Sequence, residues 1–387
     1  MCCELPGYDL CCGCRTCEES CPKNAISMKM DIKDHIYPYI DKKKCIKCRR
    51  CVKVCPVVTP PSWNEDFRTA IVAVQKDKNI LEQSSSGGAF SALIEAWKPQ
   101  YVSGVRWNKD FSVFNDISDN PEVIKLFSKS KYVMSDTCGI YKRVKEKLST
   151  GARVLVSGTP CQIAGLRNYL GRDYANLLLI DIVCHGAPSS ELLKKHIEEL
   201  EIKKRKKIVA WTFRDKTPEK GRISSRSARV SYSDGESEHF EIKEDEYLRL
   251  YYSRLAYRES CSNCIFANSR RISDATVCDA HHIQELYPQL SVEEGASVIL
   301  FHTKKADNIR HLLDKYLFIY PVEYDWVVEH NEQLKFPTRI HPKTEVFYKH
   351  YKKYDNFEKA VNVALYRSII KKIYSKCCRM VSNLCNR

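Results

Sequence analysis

Two stretches decide the fold of the N-terminal part: residues 11–22 read CCGCRTCEESCP, and residues 45–56 read CIKCRRCVKVCP. In each stretch three cysteines recur at every third position, and a fourth cysteine follows four residues later, directly before a proline. The second stretch repeats the first at a distance of 34 residues (45 − 11), and only Cys12 lies off the pattern. The repeat indicates a cofactor that takes four thiolates and is present twice.

This spacing is typical of two-cluster bacterial ferredoxins, in which the fourth cysteine of each motif binds the cluster of the other motif. It predicts one [4Fe–4S] cluster on Cys11, Cys14, Cys17 and Cys55, and a second on Cys45, Cys48, Cys51 and Cys21. Zinc knuckles are the alternative, but zinc gives no reason for two four-cysteine runs that end in proline. We expect an α+β ferredoxin-type domain over residues 1–62, ending in the stiff linker TPPS at residues 59–62.

Composition and charge limit the remaining possibilities. The 387 residues include 20 cysteines and show no export signal at the start, which argues for metal binding in the cytoplasm and against a disulfide framework. No apolar run reaches the roughly 20 residues that span a bilayer. The formal charge of +15 would suit nucleic acid, anionic lipid or an acidic protein. The basic run at residues 203–207 is more typical of a solvated turn, and without a recognisable nucleic-acid motif we expect no nucleic-acid partner.

The rest of the chain reads as an α/β flavin/iron–sulfur domain with a mixed sheet and a helical C-terminal tail. Predicted strands at 70–74, 154–156, 177–183 and 208–213 alternate with predicted helices at 88–98, 163–170 and 192–200. We assign residues 63–200 to the N-terminal part of this domain, residues 201–350 to its C-terminal part and residues 351–387 to the tail. Ligands in such folds bind in the loops at the carboxyl ends of strands.

Several of those loops carry residues suited to chemistry. The SSSGG run at residues 84–88 opens a helix and is either a phosphate cradle or an ordinary serine cap. Cys161 lies at a helix N-terminus, where its thiolate is favoured, and Cys184 follows the next strand. With Cys261 and Cys264 these thiols either converge on one metal or form two structural cysteines and a separate zinc or redox pair.

The order of the motifs resembles a known family. SSSGG (84–88), KSKY (129–132), GTPCQIAGL (158–166), DIVCHG (181–186) and FRDK (213–216) are followed by the C-x2-C at 261–264 and by HN and HPK at 330–331 and 341–343. Together they resemble the family of coenzyme F-420 hydrogenase/dehydrogenase beta subunits, in its bacterial form with a ferredoxin head. The resemblance implies FAD beside a third [4Fe–4S] cluster held by Cys161, Cys184, Cys261 and Cys264. It implies flavin contacts from Ser86, Gly87, Gly88, Lys131 and Thr159.

One segment departs from the family pattern. Residues 274–282 read DATVCDAHH, where the family shows an Asp-x-Thr-x-Gly-Asp-Phe-Trp-Gly-like stretch. Cys278 replaces the glycine and the aromatic pair is absent, which alters the substrate side of the predicted flavin site. His281 and His282 either supply a proton donor or form a solvated loop pair. Arg214 or Lys131 near the flavin would stabilise its reduced anion, so His281 and Arg214 are the catalytic candidates.

The expected function is that of an iron–sulfur flavin-dependent oxidoreductase. Electrons would pass between a redox partner protein or small electron carrier, the two head clusters, the third cluster, FAD and an unidentified organic substrate. The alternative is a non-catalytic electron-transfer subunit that delivers electrons to a separate enzyme.

The tail and the leftover cysteines complete the sequence predictions. Phe357, Val361, Leu365, Ile369 and Ile373 recur at four-residue steps among basic residues, which predicts a basic amphipathic helix. It either covers the protein's own core or lies on an acidic partner or the inner face of an anionic membrane. Eight cysteines remain outside these sets: Cys2, Cys3, Cys12, Cys138, Cys278, Cys377, Cys378 and Cys385. Cys278 is notable because it lies in the altered 274–282 segment, and the others are expected to be packing or surface thiols.

Overall fold

The computed structural model of the chain describes residues 4–64, 67–216 and 226–365. Within these ranges the strands are β1 Ile26–Met30, β2 Ile36–Ile40, β3 Thr69–Gln75, β4 Tyr101–Trp107, β5 Val113–Ser118, β6 Val154–Gly158, β7 Leu177–Ile182, β8 Ile208–Phe213, β9 Ser227–Tyr232, β10 Ser237–Glu241, β11 Ala275–Asp279, β12 Ser297–Phe301 and β13 Leu317–Pro321. The α-helices are α1 Thr16–Glu19, α2 Arg50–Lys53, α3 Lys78–Glu82, α4 Ala89–Trp97, α5 Pro121–Lys125, α6 Ile140–Ser149, α7 Pro160–Leu170, α8 Ser190–Lys204, α9 Glu246–Tyr252, α10 Lys304–Asp307, α11 Tyr324–Glu329, α12 Thr344–Tyr354 and α13 Phe357–Leu365.

The N-terminal head repeats its backbone as well as its cysteine spacing. β1 and β2 form an antiparallel hairpin in which Ile26 faces Ile40. The short helices α1 and α2 each begin inside a cysteine motif, after Arg15 and Arg49 with φ angles of 58° and 60°. A left-handed residue at the same place in both repeats turns the chain so that successive cysteines face one centre.

The main sheet has eight strands in the order β13-β3-β12-β11-β7-β6-β4-β5. β11, β7, β6 and β4 are parallel to one another, and β3 runs in the same direction because it and β11 both pair antiparallel with β12. The carboxyl ends of β3, β11, β7, β6 and β4 therefore share one edge of the sheet. This edge is where ligands of α/β folds bind.

Alternate residues of the central strands pack into different hydrophobic layers. Leu155 on β6 belongs to the layer that contains helix α4, whereas Val154 and Val156 belong to the layer of α6 and α7. Because side chains of a strand alternate between its faces, helices cover both faces of the sheet. The predicted mixed α/β sheet is confirmed, and β3, α4, β6, α7, β7, α8 and β8 lie where the sequence predicts strands and helices.

A second, three-stranded antiparallel sheet, in the order β10-β9-β8, packs with α8, α9, α12 and α13. Phe357 and Val361 on α13 are fully buried in this core, and Leu365 packs against it. The first half of the predicted apolar stripe therefore covers the protein's own core. Ile369 and Ile373 lie outside the described residues, so the rest of the predicted tail helix and its membrane contact stay predictions.

The proposed domain boundaries also stay predictions. Strands on both sides of residue 200 share the eight-stranded sheet, because β11, β12 and β13 pair into the sheet that β3 to β7 begin. In the part of the chain that the structure describes, no helix has both the length and the apolar character needed to cross a bilayer.

A buried polar network joins β7 to β11 at the centre of the sheet. Arg271 Nη2 lies 2.9 Å from Asp181 Oδ2, and both side chains are almost completely buried. Thr276 donates a hydrogen bond of 2.5 Å to Asp181 and contacts His302 Nε2 at 2.9 Å. The aspartate of the DIVCHG motif thus holds the strand that presents Cys184.

Asp181→Asn should lower the free energy of unfolding by about 3–5 kcal/mol, because it leaves the buried Arg271 cation without its counter-charge. Thermal or urea denaturation measures the loss. Glu122→Gln is the matched control, since it breaks an exposed pair with Lys125 and should cost about 0–1 kcal/mol. Equal effects of the two substitutions would contradict the assigned role of Asp181.

Candidate redox site

An outer set of four cysteines surrounds a cavity of about 340 Å³ in the head. The lining includes Cys21, Cys45, Cys48 and Cys51, called here the outer quartet. Cys48 is exposed to solvent, and none of the four is in a disulfide. This set is the one that the motif spacing assigns to the second cluster.

A second cavity, of about 330 Å³, is lined by Cys11, Cys14, Cys17 and Cys55, called here the middle quartet. Three of these thiols are buried, and the fourth, Cys17, is partly exposed. Burial raises the pKa of Cys17 and, less strongly, that of Cys11. Buried free thiols around such a pocket fit a cofactor that takes thiolate ligands and supplies the compensating positive charge.

Each of the two cavities is lined by four motif cysteines. No group of three or more His, Cys, Asp or Glu within residues 4–64, 67–216 and 226–365 is arranged to hold a single metal ion. A [4Fe–4S] cluster makes a different demand, because each of its four irons takes one thiolate.

The structure also brings together the four later cysteines, called here the inner quartet: Cys161, Cys184, Cys261 and Cys264. Burial raises the pKa of Cys184 well above its usual value, and the three neighbouring thiols raise it further. Cys261 and Cys264 likewise interact with each other and with Cys161. The four thiols therefore interact with one another, while the metal on them and the alternative of two structural cysteines with a separate zinc or redox pair both stay predictions.

Local sequence explains how the inner quartet forms. Cys161 is the second residue of α7, after Pro160 and the N-cap Thr159, whose backbone N–H donates to Gln162 Oε1 at 3.0 Å. Gly186 has φ of +104°, and a β-carbon there would lie 3.0 Å from the Cβ of Cys261. The glycine after Cys184 therefore lets the turn with Cys261 come close.

Cys12, which lies off the ferredoxin pattern, connects the middle and inner quartets. Its thiol lies beside the thiols of Cys14 and Cys161, and the interaction with both raises the pKa of Cys12 well above its usual value. The same interaction lowers the pKa of Cys14 to about 7 and lowers that of Cys161. Cys12 thus packs between the middle and inner quartets, with a neighbour in each.

Arg258 joins the same two quartets from the other side. Its side chain is completely buried, and its guanidinium donates to the carbonyl oxygens of Cys11 at 2.6 Å and Ile36 at 2.8 Å. It lies 4.0 Å from the centre of the Tyr37 ring, and its Nη1 is buried without a hydrogen-bond partner. No carboxylate pairs with Arg258 among the described residues, and its positive charge acts on Cys11, Cys14 and Cys261.

Further contacts fix the head against the α/β domain. Thr137 donates to the Cys14 carbonyl at 2.9 Å, and Asn168 on α7 donates to the Thr59 carbonyl at 2.7 Å. A β-carbon at Gly165 would lie 2.4 Å from Thr16 Oγ1, so α7 packs directly on the cysteine loop of the head. The middle and inner quartets are held close by side-chain contacts on several sides.

The predicted flavin residues occupy the carboxyl edge, but most of their polar groups bond within the chain. Ser86 donates to the Ala296 carbonyl at 2.9 Å, and the Gly87 N–H donates to Ser297 Oγ at 2.8 Å. A β-carbon at Gly87 would lie 2.2 Å from the Ala73 carbonyl oxygen. The SSSGG loop, including Gly88, which precedes α4 with φ of +77°, is thus packed tightly on β3 and β12.

The KSKY and GTPCQ motifs lie at different places along this edge. Ser130 N–H donates to Ser85 Oγ at 2.7 Å, so the KSKY loop lies beside the SSSGG loop. Lys131 donates to three backbone carbonyls of its own loop, and burial lowers its pKa to about 7. Thr159 instead contacts Cys161 Sγ at 3.2 Å, beside the inner quartet. The flavin contacts of these residues stay predictions.

A buried ion pair lies next to the SSSGG loop. Arg214 donates two hydrogen bonds, of 2.8 and 3.1 Å, to Asp279 at the end of β11. Arg214 Nε is buried without a partner, and the Arg214 guanidinium holds the pKa of Asp279 below its usual value. Lys216 bonds to the Ser86 carbonyl, and burial lowers its pKa to about 8. The unpartnered Nε and the nearby ammonium group suit an anionic ligand.

The altered 274–282 segment divides between core and surface. Cys278 is buried in a hydrophobic cluster, and burial raises its pKa. His282 is exposed and pairs with Glu285, as expected of a solvated loop residue. His281 is half-buried near Asp279 and Arg214, and burial lowers its pKa. Sequence reasoning missed Asp279 and Lys216, although both lie inside segments that it singled out.

Comparison with known proteins agrees with this description. Residues 151–318 match a family described as the C terminus of the beta subunit of coenzyme F420 hydrogenase/dehydrogenase, and residues 10–58 match a 4Fe-4S dicluster domain. The predicted family resemblance is confirmed. A second dicluster description matches residues 37–98. Residues 151–318 are therefore similar to the C-terminal part of these beta subunits, and they follow a segment that is similar to a dicluster domain.

Individual relatives are more distant. The chain is 26% identical over 194 residues to the F subunit of the F(420)H(2) dehydrogenase of Methanosarcina mazei, a stretch of 47% of this chain and 55% of that protein. It is 41% identical over 44 residues to the ferredoxin-type protein NapF of Haemophilus influenzae, covering 11% of this chain and 25% of NapF. The match thus spans about half of the first relative and a quarter of the second.

A solved structure, a xenon derivative of the F420-reducing [NiFe] hydrogenase complex from Methanosarcina barkeri, aligns with 69% of this chain and 88% of its own. The TM-score is 0.43 at 16% sequence identity.

Arg258→Met should make the middle-quartet cluster harder to reduce, because a buried cation stabilises the more negative reduced form. We expect its midpoint potential to fall by about 60 mV, the one-electron equivalent of a tenfold change in the equilibrium. Redox titration followed by electron paramagnetic resonance measures the shift.

Arg258→Lys should restore part of the potential, since it keeps the charge. Arg50→Met is the matched control, because Arg50 lines the outer cavity and is exposed. An unchanged middle potential in Arg258→Met, or an equal shift in Arg50→Met, would show that Arg258 has no specific electrostatic role.

Proposed function

We propose that this chain is an iron–sulfur oxidoreductase that passes single electrons through its three cysteine quartets to a flavin at the carboxyl edge of the sheet. The observation that carries the proposal is the packing of α7, whose first turn holds Cys161, on the cysteine loop of the head: a β-carbon at Gly165 would lie 2.4 Å from Thr16 Oγ1 and 3.4 Å from Cys14 Cβ. It puts a thiol of the middle quartet next to one of the inner quartet. When bound, clusters supply one-electron transfer and a flavin supplies the exchange between single electrons and pairs.

The chain's own residues would do three things in this function. The outer quartet places a ligand set at the surface, with Cys48 exposed. Cys12 and Arg258 hold the middle and inner quartets together in a buried environment, where fixed charges act strongly. The protein would thereby fix the positions of its redox centres and the charges around them in advance of electron transfer.

The flavin is best placed beside the Arg214–Asp279 pair. Asp279 fixes the guanidinium by a bidentate contact, so Arg214 Nε and the ammonium of Lys216 stay oriented. Preorganised cations of this kind stabilise an anion that develops during reduction. Thr159 and Cys161 lie at the end of β6 and Asp279 at the end of β11, with only β7 between them. This arrangement supports a flavin next to the inner quartet, and His281 would face its substrate side.

The second candidate is an electron-transfer subunit without its own substrate. The engaged donors of Ser86, Gly87 and Lys131 favour it, as does the buried Cys278 where the family has a glycine. In this case electrons would pass from the inner quartet to a separate enzyme. The similarity to one subunit of the F(420)H(2) dehydrogenase supports membership in a larger assembly.

Anaerobically purified protein should contain about twelve iron atoms per chain, four for each quartet. Cys264→Ala should lower this number to about eight, because it removes one thiolate of the inner quartet. Cys278→Ala is the matched control, as Cys278 is a buried thiol outside the quartets. Iron and acid-labile sulfide analysis measures the difference.

Flavin extraction from the same samples distinguishes the two candidate functions. The oxidoreductase proposal requires about one flavin per chain, while the electron-transfer subunit requires the iron alone. About eight iron atoms and no flavin in the unmodified protein would refute both the inner cluster and the enzymatic role.

A further inference from the structure

The outer quartet is surrounded by basic side chains, called here the basic face. They are exposed to solvent and lie on the turns that carry Cys21, Cys45, Cys48 and Cys51: Lys23, Lys42, Lys43, Lys44, Lys47, Arg49, Arg50 and Lys53. Lys23 and Arg50 line the outer cavity itself. Within residues 41–53 the one acidic side chain is Asp41. The surface next to the outer quartet is therefore strongly positive.

The charges of the basic face are almost entirely uncompensated. Among the described residues, only Lys44 of this set has an ion pair, with Asp41 at 3.9 Å. The basic run at 203–207 differs, since Lys203 pairs with Glu358 at 3.0 Å and Lys204 pairs with Glu238 at 2.6 Å. Lys206 and Lys207 in the same run also have acidic partners. The basic side chains at 203–207 are thus largely paired with acidic residues, whereas those around the outer quartet are largely unpaired.

Two further features mark this face as a contact surface. Cys48 is exposed, and the adjacent Ile46 is 57% exposed although it lines the cavity. Ile46 is an exposed apolar side chain surrounded by basic side chains. Transient protein interfaces are small and have the same arrangement, an apolar centre from which water is excluded and a polar rim. The middle quartet, in contrast, is covered by Arg258, Thr137 and α7.

We propose that the basic face docks a small acidic one-electron carrier protein, with its redox group against Ile46 and Cys48. This inference rests on the proposed function and adds the class of partner and its place of entry. In the reductive direction one electron leaves the reduced carrier and enters the centre held by the outer quartet. The carrier departs oxidised by one electron, with no bond broken and no proton transferred.

The charge pattern determines how such a partner would bind. Uncompensated cations attract an acidic protein over several ångströms and raise its association rate, more than they strengthen the final complex. The attraction between exposed charges is screened by salt over about 8 Å at physiological ionic strength. Electron entry should therefore be fast at low salt and should slow steeply as salt increases.

The test compares two triple variants of the full-length holoprotein. Lys42→Gln/Lys43→Gln/Lys47→Gln removes three charges from the basic face, and Lys109→Gln/Lys315→Gln/Lys349→Gln removes three exposed charges elsewhere. Stopped-flow absorbance follows cluster reduction by photoreduced flavodoxin, an acidic carrier protein, and by reduced benzyl viologen, a small cation.

At low ionic strength the basic-face variant should react with flavodoxin at least about tenfold more slowly than the unmodified protein, and the control variant within about twofold. Benzyl viologen should reduce all three proteins without slowing, which shows that the clusters are intact. An unchanged flavodoxin rate in the basic-face variant, an equal loss in the control variant, or a rate independent of salt would overturn the proposal.

An anionic membrane is the competing occupant of the basic face. If the basic-face variant loses sedimentation with phosphatidylserine vesicles but keeps its rate with flavodoxin, the face binds membrane and the carrier proposal is wrong. The proposed function is separable from both, because reduction by benzyl viologen and the iron and flavin contents of the unmodified protein do not depend on what binds the basic face.

Discussion

The arrangement of the site depends on one buried cation. Arg258 lies at the junction of the head and the α/β domain, fully enclosed and without a carboxylate among the described residues. A guanidinium in such a place is unfavourable unless its surroundings are anionic or rich in acceptors. Its partners are two head carbonyls, an aromatic ring and the thiols on either side. The cation ties the position of the head to the turn that carries Cys261, because it donates to the carbonyl oxygens of Cys11 and Ile36.

The eight-stranded sheet determines which residues of the α/β domain meet at the site. Because five strands end at the same edge, residues far apart in the chain meet there in a defined order. The ends of β6 and β7 present Cys161 and Cys184, and the ends of β11 and β3 present Asp279 and the SSSGG loop. The buried hydrogen bond from Thr276 on β11 to Asp181 on β7 joins the two strands between these halves. The edge thus places Cys161 and Cys184 one strand away from the Arg214–Asp279 ion pair.

Sequence reasoning succeeded where the determining contacts are local. The grouping of the head cysteines follows from spacing within short loops, and the strands follow from apolar runs. Arg258 was missed because its acceptors, Cys11 and Ile36, lie 247 and 222 positions away and are backbone atoms. Cys12 was missed because the motif rule assigns meaning only to cysteines in the pattern. Ser86 and Gly87 were expected to face a cofactor, and their bonds to residues 296 and 297 appear only when β12 pairs with β3.

The central claim is that three cysteine quartets hold iron in sequence, with Cys12 and Arg258 between the middle and inner sets. X-ray diffraction from anaerobically grown crystals, collected above and below the iron absorption edge, tests it directly. We predict anomalous iron density inside all three quartets, with the middle site between the outer and inner sites and Arg258 beside the last two. Iron confined to the two head quartets, or zinc in place of iron at Cys161, Cys184, Cys261 and Cys264, would contradict it.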